Sequence, residues 1–305
     1  MRYLNLRYSL NIKKRVFFIR NTFFKLYTPR NFKNYRNAAH TIVTPFLGFL
    51  LSNYHLSDEI EDLGLEYLNP KSKNLTCVNR KISEKTIIYC QIDQINEFIN
   101  NHIEKISSSF ILITGKWGLP GFKFDENYKK ILKNRHLVTW FSQNQIYSDL
   151  PILHFPYGVN FFSAPRVLNI ASKKNQKVNK VFIPFHSVHE HLDQETKELR
   201  QQLIPYMAKK KSIDDYLEDI SKSDFVVSAT GDRPDTYRHW EIIALGGTPI
   251  SNLPQHFTDL FGLNLIIRPD LSSARFENYE TFDQPSNKIV NFQYWEAFVN
   301  SKFSN

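Results

Sequence analysis

The chain has 305 residues, and its 42% hydrophobic and 23% charged residues are typical of a globular protein, which excludes disorder as the dominant state. The longest apolar run, residues 41–51, is interrupted by Pro45 and Gly48 and is shorter than the about 20 residues that cross a bilayer, which argues against an integral membrane protein. Cys77 and Cys90 form neither a CxxC pair nor a zinc pattern. Their scarcity excludes a disulfide scaffold and favours a reducing, cytoplasmic compartment.

The basic charge of the chain is concentrated near its N-terminus. The net charge is +9, and residues 1–57 contain ten Lys or Arg and no acid, because the first acidic residue is Asp58. Residues 58–305 then hold 29 basic and 30 acidic residues, a net charge of −1. We therefore interpret residues 1–57 as a basic extension of a neutral body. Nucleic acid is not an expected partner, since a nucleic-acid-binding domain carries its charge on its own fold.

Aromatic residues alternate with cations in this extension, among them Phe17, Phe18, Phe23 and Phe24. That combination suits an anionic lipid surface, where each Lys or Arg contributes about 1 kcal/mol and buried aromatic rings add to the attraction. We expect residues 1–36 to make a peripheral membrane contact. Two alternatives stay open, an arm that packs on the body and a contact with nucleic acid or another polyanion.

The first part of the body, residues 58–170, alternates short β-branched or aromatic runs with polar helical stretches from about residue 84. This alternation predicts βαβ units and a parallel sheet. The predicted strands are residues 86–90, 110–114, 137–141 and 152–156, and the predicted helices are residues 93–107 and 125–134.

The second part, residues 171–286, repeats the pattern after a polar linker within residues 157–180. Its predicted strands are residues 180–185, 224–229, 248–251 and 264–268, and its predicted helices are residues 194–209, 212–221 and 236–245. A last amphipathic helix in residues 287–305 is expected to cross back to the first domain. The sequence thus predicts an α/β protein with two Rossmann-like parallel-sheet domains, which face each other across a cleft at their carboxyl ends.

The densest motif is SATGDRPDTYRHWEIIALGGTPIS, residues 228–251. Its loop follows a strand and opens a helix, so the free N–H groups and the positive dipole end favour a phosphate near Thr230 and Gly231. Asp235 or Thr236 can cap that helix.

Arg238 and Glu241 are three positions apart and therefore share one helix face. A guanidinium near a diphosphate and a carboxylate that accepts ribose hydroxyls are the chemistry of a nucleotide-sugar site. The alternative is an ordinary βαβ unit, in which Asp235 is only an N-cap and Arg238–Glu241 is a surface ion pair worth a few tenths of a kcal/mol.

This motif resembles the donor-site signature of exostosin-like and related GT-B glycosyltransferases. Further matches are FILITG at residues 110–115, WFSQN at residues 140–144 and HFPYGVN at residues 154–160, so the resemblance covers about residues 84–270. It implies a GT-B fold, a nucleotide-sugar donor and a glycan or lipid-linked glycan acceptor. The donor residues that it implies are Gly231, Asp235, Arg238 and Glu241, whereas Thr230 is a candidate from its place in the phosphate-binding loop alone.

The turn after FILITG departs from the family pattern, because Lys116, Trp117 and Gly118 stand where the family often has an Asp. If that acid acts on the acceptor, the catalytic base of this chain has to lie elsewhere. The weak candidates are Asp125, Glu126 and Asp149. A non-catalytic nucleotide- or glycan-binding module of the same fold is therefore an alternative function, beside a polyanion binder that uses the basic arm.

The residues HSVHEH, 186–191, follow a predicted strand but fit no standard zinc spacing. We expect His186 to contact donor phosphates rather than a metal. The chain contains no Asp-x-Asp, which argues against a metal-bridged donor site. The sequence thus predicts a metal-independent glycosyltransferase, whose nucleotide-sugar is a substrate and which needs no further cofactor.

Overall fold

A computed structural model of the protein describes residues 32–119, 121–190, 192–274, 279 and 287–304. Within these ranges the chain forms one sheet of six strands and one of four, with helices packed on them. The prediction of an α/β protein with two parallel sheets is therefore confirmed. Residues 1–31, which carry most of the predicted membrane-contacting segment 1–36, lie outside the described residues.

The first sheet is built from residues 54–155. Its strands are β1 (Tyr54–Leu56), β2 (Lys73–Asn74), β3 (Thr86–Gln91), β4 (Phe110–Gly115), β5 (Leu137–Gln143) and β6 (Ile152–Phe155). Their order is β2-β1-β3-β4-β5-β6, and every neighbouring pair is parallel. Every residue of the central strand β4 is buried, which explains its continuous apolar sequence.

The helices of this part are α1 (Phe32–Ala39), α2 (Leu47–Leu51), α3 (Asp58–Asp62), α4 (Ile95–Asn101), α5 (Lys129–Leu132) and α6 (Ala164–Ser172). The predicted helix 93–107 is shorter than expected, since only α4 is α-helical and 3₁₀ turns flank it. Likewise, the predicted helix 125–134 divides into a 3₁₀ turn and α5.

The second sheet is built from β7 (Asn179–Phe182), β8 (Ser223–Val227), β9 (Thr248–Ser251) and β10 (Ile266–Ile267), in the parallel order β10-β9-β8-β7. Its helices are α7 (Gln194–Leu203), α8 (Ile213–Ser221), α9 (Tyr237–Ala244) and α10 (Thr258–Phe261), and the last helix of the chain is α11 (Phe292–Ser301). Strand β7 ends earlier than predicted, before Pro184, whose nitrogen cannot donate to a sheet ladder.

The boundary predicted at residue 57 lies too far along the chain. Val43, Leu47 and Phe49 are fully buried, and β1 is part of the first sheet. Helix α2 approaches that sheet most closely at Gly48, where a Cβ atom would lie 2.8 Å from Ile113 Cγ2. Pro45 and Gly48, which interrupt the apolar run in the sequence, are both buried in this packing.

The predicted linker also contains structure that the sequence analysis missed. Helix α6 lies inside residues 157–180 and packs against α8 and α9. At the end of the chain, Phe298 of α11 packs on Phe141, with 6.0 Å between the ring centres, and Trp295 packs on Phe155 at 5.6 Å. The last helix therefore contacts the first sheet.

One apolar cluster is shared by both sheets. It includes Tyr89 and Phe141 from the first sheet and Val226 of β8 with Trp240 of α9. The opposite faces of the two sheets have clusters of their own. Burying one large apolar side chain contributes about 1.5–3 kcal/mol, so the shared cluster holds the two sheets together. Among the described residues, we find no helix with the length and apolarity needed to cross a membrane.

Candidate functional site

The loops at the carboxyl ends of the two sheets contact each other directly. Oδ2 of Asp235, after β8, accepts a hydrogen bond from the backbone N–H of Tyr157, after β6, at 3.0 Å. The backbone N–H of Asp235 donates to Oδ1 of Asn144, after β5, at 2.7 Å. Parallel α/β sheets bind ligands at their carboxyl ends. These loops are therefore the place to look for a functional site.

Residues 228–236 form the loop predicted to bind the donor, and polar side chains hold it from two sides. The Arg200 guanidinium donates to the carbonyl oxygen of Thr230 at 2.6 and 3.1 Å. The Asn252 amide exchanges two hydrogen bonds of 2.9 Å with the backbone N–H and hydroxyl of Thr230. A Cβ atom on Gly231 would lie 3.4 Å from the Arg200 guanidinium. The polar groups of Thr230 thus fix the loop.

Asp235, a predicted donor residue, makes its contacts within the chain. It is 1% exposed. Its carboxylate accepts from the indole N–H of Trp240 at 2.8 and 2.9 Å, besides the N–H of Tyr157. The helix N-cap is Thr236, which forms a capping box with His239. Asp235 therefore ties the loop to α9 and to the first sheet.

His186, predicted to contact donor phosphates, is held by two hydrogen bonds within the chain. It is 1% exposed. Its Nδ1–H donates to the carbonyl oxygen of Pro184 at 2.7 Å, and its Nε2 accepts from the backbone N–H of Ala229 at 3.1 Å. Burial lowers the pKa of His186 well below its ordinary value, so the ring is neutral. A neutral, buried imidazole that joins two loops offers no charge to a phosphate.

Arg238, Tyr216 and Glu241 form a hydrogen-bonded chain on α8 and α9. The Nε–H of Arg238 donates to the Tyr216 hydroxyl at 3.1 Å, and that hydroxyl donates to Glu241 Oε2 at 3.0 Å. Glu241 Oε1 accepts from the Ser163 hydroxyl at 3.2 Å. Glu241 is 5% exposed, and burial raises the pKa of its carboxyl. Glu241 therefore lies behind Tyr216 and orients it, whereas Arg238 remains partly exposed.

A pocket of about 230 Å³ opens beside Arg238, between the end of β7, the segment 208–213, α8 and α9. Its described lining includes four basic side chains and one acidic side chain: Lys209, Lys210, Lys211, Arg238 and Asp219. Lys211 pairs with Asp219 at 2.6 Å, which leaves an excess of positive charge. Phe185, 39% exposed, and Tyr216 add aromatic surface. We call this site the basic pocket; the Lys209–Lys211 run was not recognised from the sequence.

The turn Lys116–Gly118 is hydrogen-bonded on both sides. The Glu59 carboxylate accepts from the backbone N–H groups of Trp117, at 2.9 Å, and Gly118, at 3.0 Å. The Arg233 guanidinium, from the loop after β8, donates to the carbonyl oxygens of Lys116, Trp117 and Gly118 at 3.0 to 3.1 Å. The turn thus receives a carboxylate from a distant part of the chain.

Glu59 is a carboxylate that the sequence analysis missed. It lies just after β1, and burial raises its pKa although Trp117, Gly118 and Lys116 oppose the shift. Glu59 is 58 positions from Trp117 in the chain, so no sequence motif indicates that the two residues are in contact.

The three predicted base candidates lie on the surface. Asp125 caps a 3₁₀ turn by accepting from the N–H of Asn127 at 2.8 Å, Glu126 pairs with Lys129 at 2.6 Å, and Asp149 is exposed. None of these observations places them beside the contact between the two sheets.

In the described part of the chain, no group of three or more His, Cys, Asp or Glu side chains is arranged to hold a metal ion. No protein-family model matches this chain, and a comparison with curated proteins gives no match.

Proposed function

We propose that this protein is a metal-independent, GT-B-like glycosyltransferase whose second sheet and basic pocket hold a nucleoside diphosphate sugar. The observation that carries the proposal is the basic pocket, where an excess of cations meets aromatic rings at the carboxyl end of β7. The resemblance of residues 228–251 to a donor-site signature supports the same reading. The basic pocket, at about 230 Å³, is smaller than the about 300–1,000 Å³ of drug-sized ligand sites. It therefore fits part of a nucleotide rather than a whole donor.

In this proposal the cations neutralise the diphosphate, and Phe185 offers a face to the base. Arg238 is held in place, since its guanidinium donates to Tyr216 and to the carbonyl oxygen of Phe185 at 2.9 Å. A guanidinium held in place stabilises the charge that develops on the leaving group without rearranging during the reaction. Glu241 acts through Tyr216, as a positioning residue.

The reaction moves a glycosyl group to an acceptor hydroxyl. A bond forms between the acceptor oxygen and the anomeric carbon, and the bond from that carbon to the diphosphate oxygen breaks. The diphosphate leaves with the electron pair, and the hydroxyl proton passes to a base. We propose Glu59 as that base, because its carboxylate lies at the turn that Arg233 of the second sheet's loop also binds, and because burial raises its pKa.

Thermal-shift measurements with UDP, GDP and CMP, alone and as sugar conjugates, test the proposal. A ligand at a hundredfold excess over its Kd stabilises the native state by about 2.7 kcal/mol, so one nucleotide should raise Tm clearly. Arg238→Ala should abolish that rise. Lys129→Ala, at a cation that is 52% exposed on the first part of the chain, is the matched control and should keep it. No shift with any nucleotide, or an equal shift in Arg238→Ala, would overturn the proposal.

A non-catalytic binding module is the second candidate, favoured by one observation. The carboxylate of Glu59 already accepts two backbone N–H groups of the turn, which gives it a purely structural use. Release of nucleoside diphosphate from the bound donor distinguishes the two functions. An enzyme releases it and slows strongly in Glu59→Gln, whereas a module binds the donor without releasing it.

A further inference from the structure

A second pocket, of about 300 Å³, lies between the edge of the first sheet, the segment after β9 and α11. Its aromatic lining comes from Phe141, Tyr294, Trp295 and Phe298, and its polar lining includes His154, His256 and Asp259. The rings of Tyr294 and Phe298 are parallel within 4°, with 6.2 Å between their centres. We call this site the histidine pocket.

The two histidines of this pocket have buried nitrogen atoms that lack partners. The rings of His154 and His256 stack with their centres 5.2 Å apart. Nδ1 of His154 and Nε2 of His256 are buried, and no hydrogen-bond partner is present for either. Because buried polar atoms in proteins are nearly always paired, two such atoms beside one pocket point to a bound group that pairs with them.

The charge of the histidine pocket excludes the ligands that suit the basic pocket. No Lys or Arg occurs in the described lining, and Asp259 adds a negative charge. Burial lowers the pKa of His154 to about 4, so that ring is neutral and each of its nitrogens either donates or accepts. With a carboxylate and no cation in its described lining, the pocket does not suit a phosphate. Hydroxyl groups, which both donate and accept, match the neutral imidazole and the carboxylate.

The position of the pocket connects it to the loop 228–236. His154 is three residues before Tyr157, whose N–H binds Asp235, and the Asp235 charge acts on the pKa of His154. His256 is four residues after Asn252, which binds Thr230. Both histidines thus belong to segments that hold the loop.

We propose that the histidine pocket binds an uncharged saccharide ring, with its apolar face against the aromatic wall and its hydroxyls on His154, His256 and Asp259. Sites for small ligands combine such an apolar wall with a few convergent polar groups. As a site for a remote ring of the acceptor glycan, this inference rests on the proposed function, because Glu59, the proposed base, does not line the pocket. As a saccharide site it stands by itself and is tested without nucleotide.

The experiment is saturation-transfer NMR on the full chain with glucose, galactose, mannose and N-acetylglucosamine, each alone. We expect saturation transfer from the wild type to at least one sugar. His256→Phe keeps a ring against His154 but loses the nitrogen, and it should bind that sugar about tenfold more weakly, the loss that one good hydrogen bond gives. The exposed Asp259→Asn, which does not disturb the ring packing, should also weaken binding.

The matched control is His136→Phe, which changes the same residue type outside the pocket and should bind like the wild type. The inference is overturned if no sugar receives saturation transfer, or if His256→Phe and Asp259→Asn bind as well as the control. If nucleotide raises Tm but no sugar binds, the proposed function still stands. If a sugar binds but no nucleotide raises Tm, only the interpretation as an acceptor site is lost.

Discussion

The guanidinium of Arg233 donates a hydrogen bond of 3.0 Å to the carbonyl oxygen of Trp117, although 116 positions separate the two residues. The same guanidinium lies 4.5 Å from the ring centre of Tyr157, and the Tyr157 hydroxyl also donates to Trp117, at 2.6 Å. Arg233, from the loop after β8, thus contacts both the turn after β4 and the loop after β6 of the first sheet.

Removing this guanidinium should therefore destabilise the whole protein. Arg233→Ala loses hydrogen bonds to three carbonyl oxygens and the contact with Tyr157, and we expect a loss of about 2–4 kcal/mol in the free energy of unfolding. Urea denaturation measures it. Arg166→Ala is the control, because Arg166 is 53% exposed and its ion pair with Asp214, at 3.4 Å, lies on the surface. Equal effects of both substitutions would contradict the role assigned to Arg233.

Asp235→Asn separates a structural role from ligand binding. The amide has one acceptor oxygen in place of two, and its NH₂ group would face the N–H groups of Trp240 and Tyr157. We expect unfolding to become easier by about 2–4 kcal/mol, while the folded variant keeps its nucleotide affinity in calorimetry. Asp149→Asn, at an exposed site, should leave stability unchanged. Unchanged stability with lost nucleotide affinity in Asp235→Asn would restore the donor role that the sequence suggested.

The stability of the protein should fall as the pH decreases below neutrality. Burial lowers the pKa of both His55 and His154 to about 4. The charge of His256 lowers the pKa of His154 further, whereas the charges of Asp259 and Asp235 raise it. An unfolded histidine titrates near about 6.5, so the unfolded state binds more protons between these values. Stability that is present above pH about 6.5 is therefore lost as the pH falls towards about 4.

The substitution His154→Phe should reduce this pH dependence. One proton difference corresponds to about 1.4 kcal/mol per pH unit, and this is the largest change in slope that we expect. Urea midpoints between pH 7 and 4.5 measure it, with His136→Phe as the control. An unchanged slope in His154→Phe would mean that the pKa of this ring is the same in the folded and unfolded states.

Gly48→Ala tests the close approach of α2 to the first sheet. The new methyl group would lie 2.8 Å from both Ile113 Cγ2 and Tyr89 Cδ2, so the sheet or the helix has to move. Overpacking of this kind costs about 1–3 kcal/mol, measurable by thermal or urea denaturation. Gly118→Ala is the control, since its Cβ would have only ordinary contacts, the nearest at 3.5 Å. A harmless Gly48→Ala would mean that α2 shifts freely.

The parts of the fold that depend on local pattern were predictable. Strands such as Phe110–Gly115 are recognisable because a buried parallel strand is a continuous apolar run. Residues 42–57 were assigned to the extension from charge alone, because the first acidic residue is Asp58. Charge does not report packing, and Val43, Leu47 and Phe49 in this stretch are fully buried. Helix α6 was missed because the polar stretch that follows it was taken as the centre of a linker.

The candidate site was less predictable, since its contacts join distant residues. The sequence pointed to Arg238, which lines the basic pocket. It could not show that Asp235 and His186 form hydrogen bonds with residues far away in the chain. Nor could it bring Glu59 to the turn at Lys116–Gly118. Side-chain roles of this kind depend on which loops meet, and residue spacing along one element does not report that.

The apolar cluster shared by both sheets has a consequence for how such a chain can change over evolutionary time. Because Tyr89 of the first sheet and Trp240, which packs on the second, belong to the same cluster, neither sheet with its helices has a complete core of its own. A recombination event that exchanged one half for a foreign counterpart would leave a large apolar surface without its matching shape. Diversification is therefore expected through substitutions and loop changes around an intact pair of sheets, rather than through shuffling of halves.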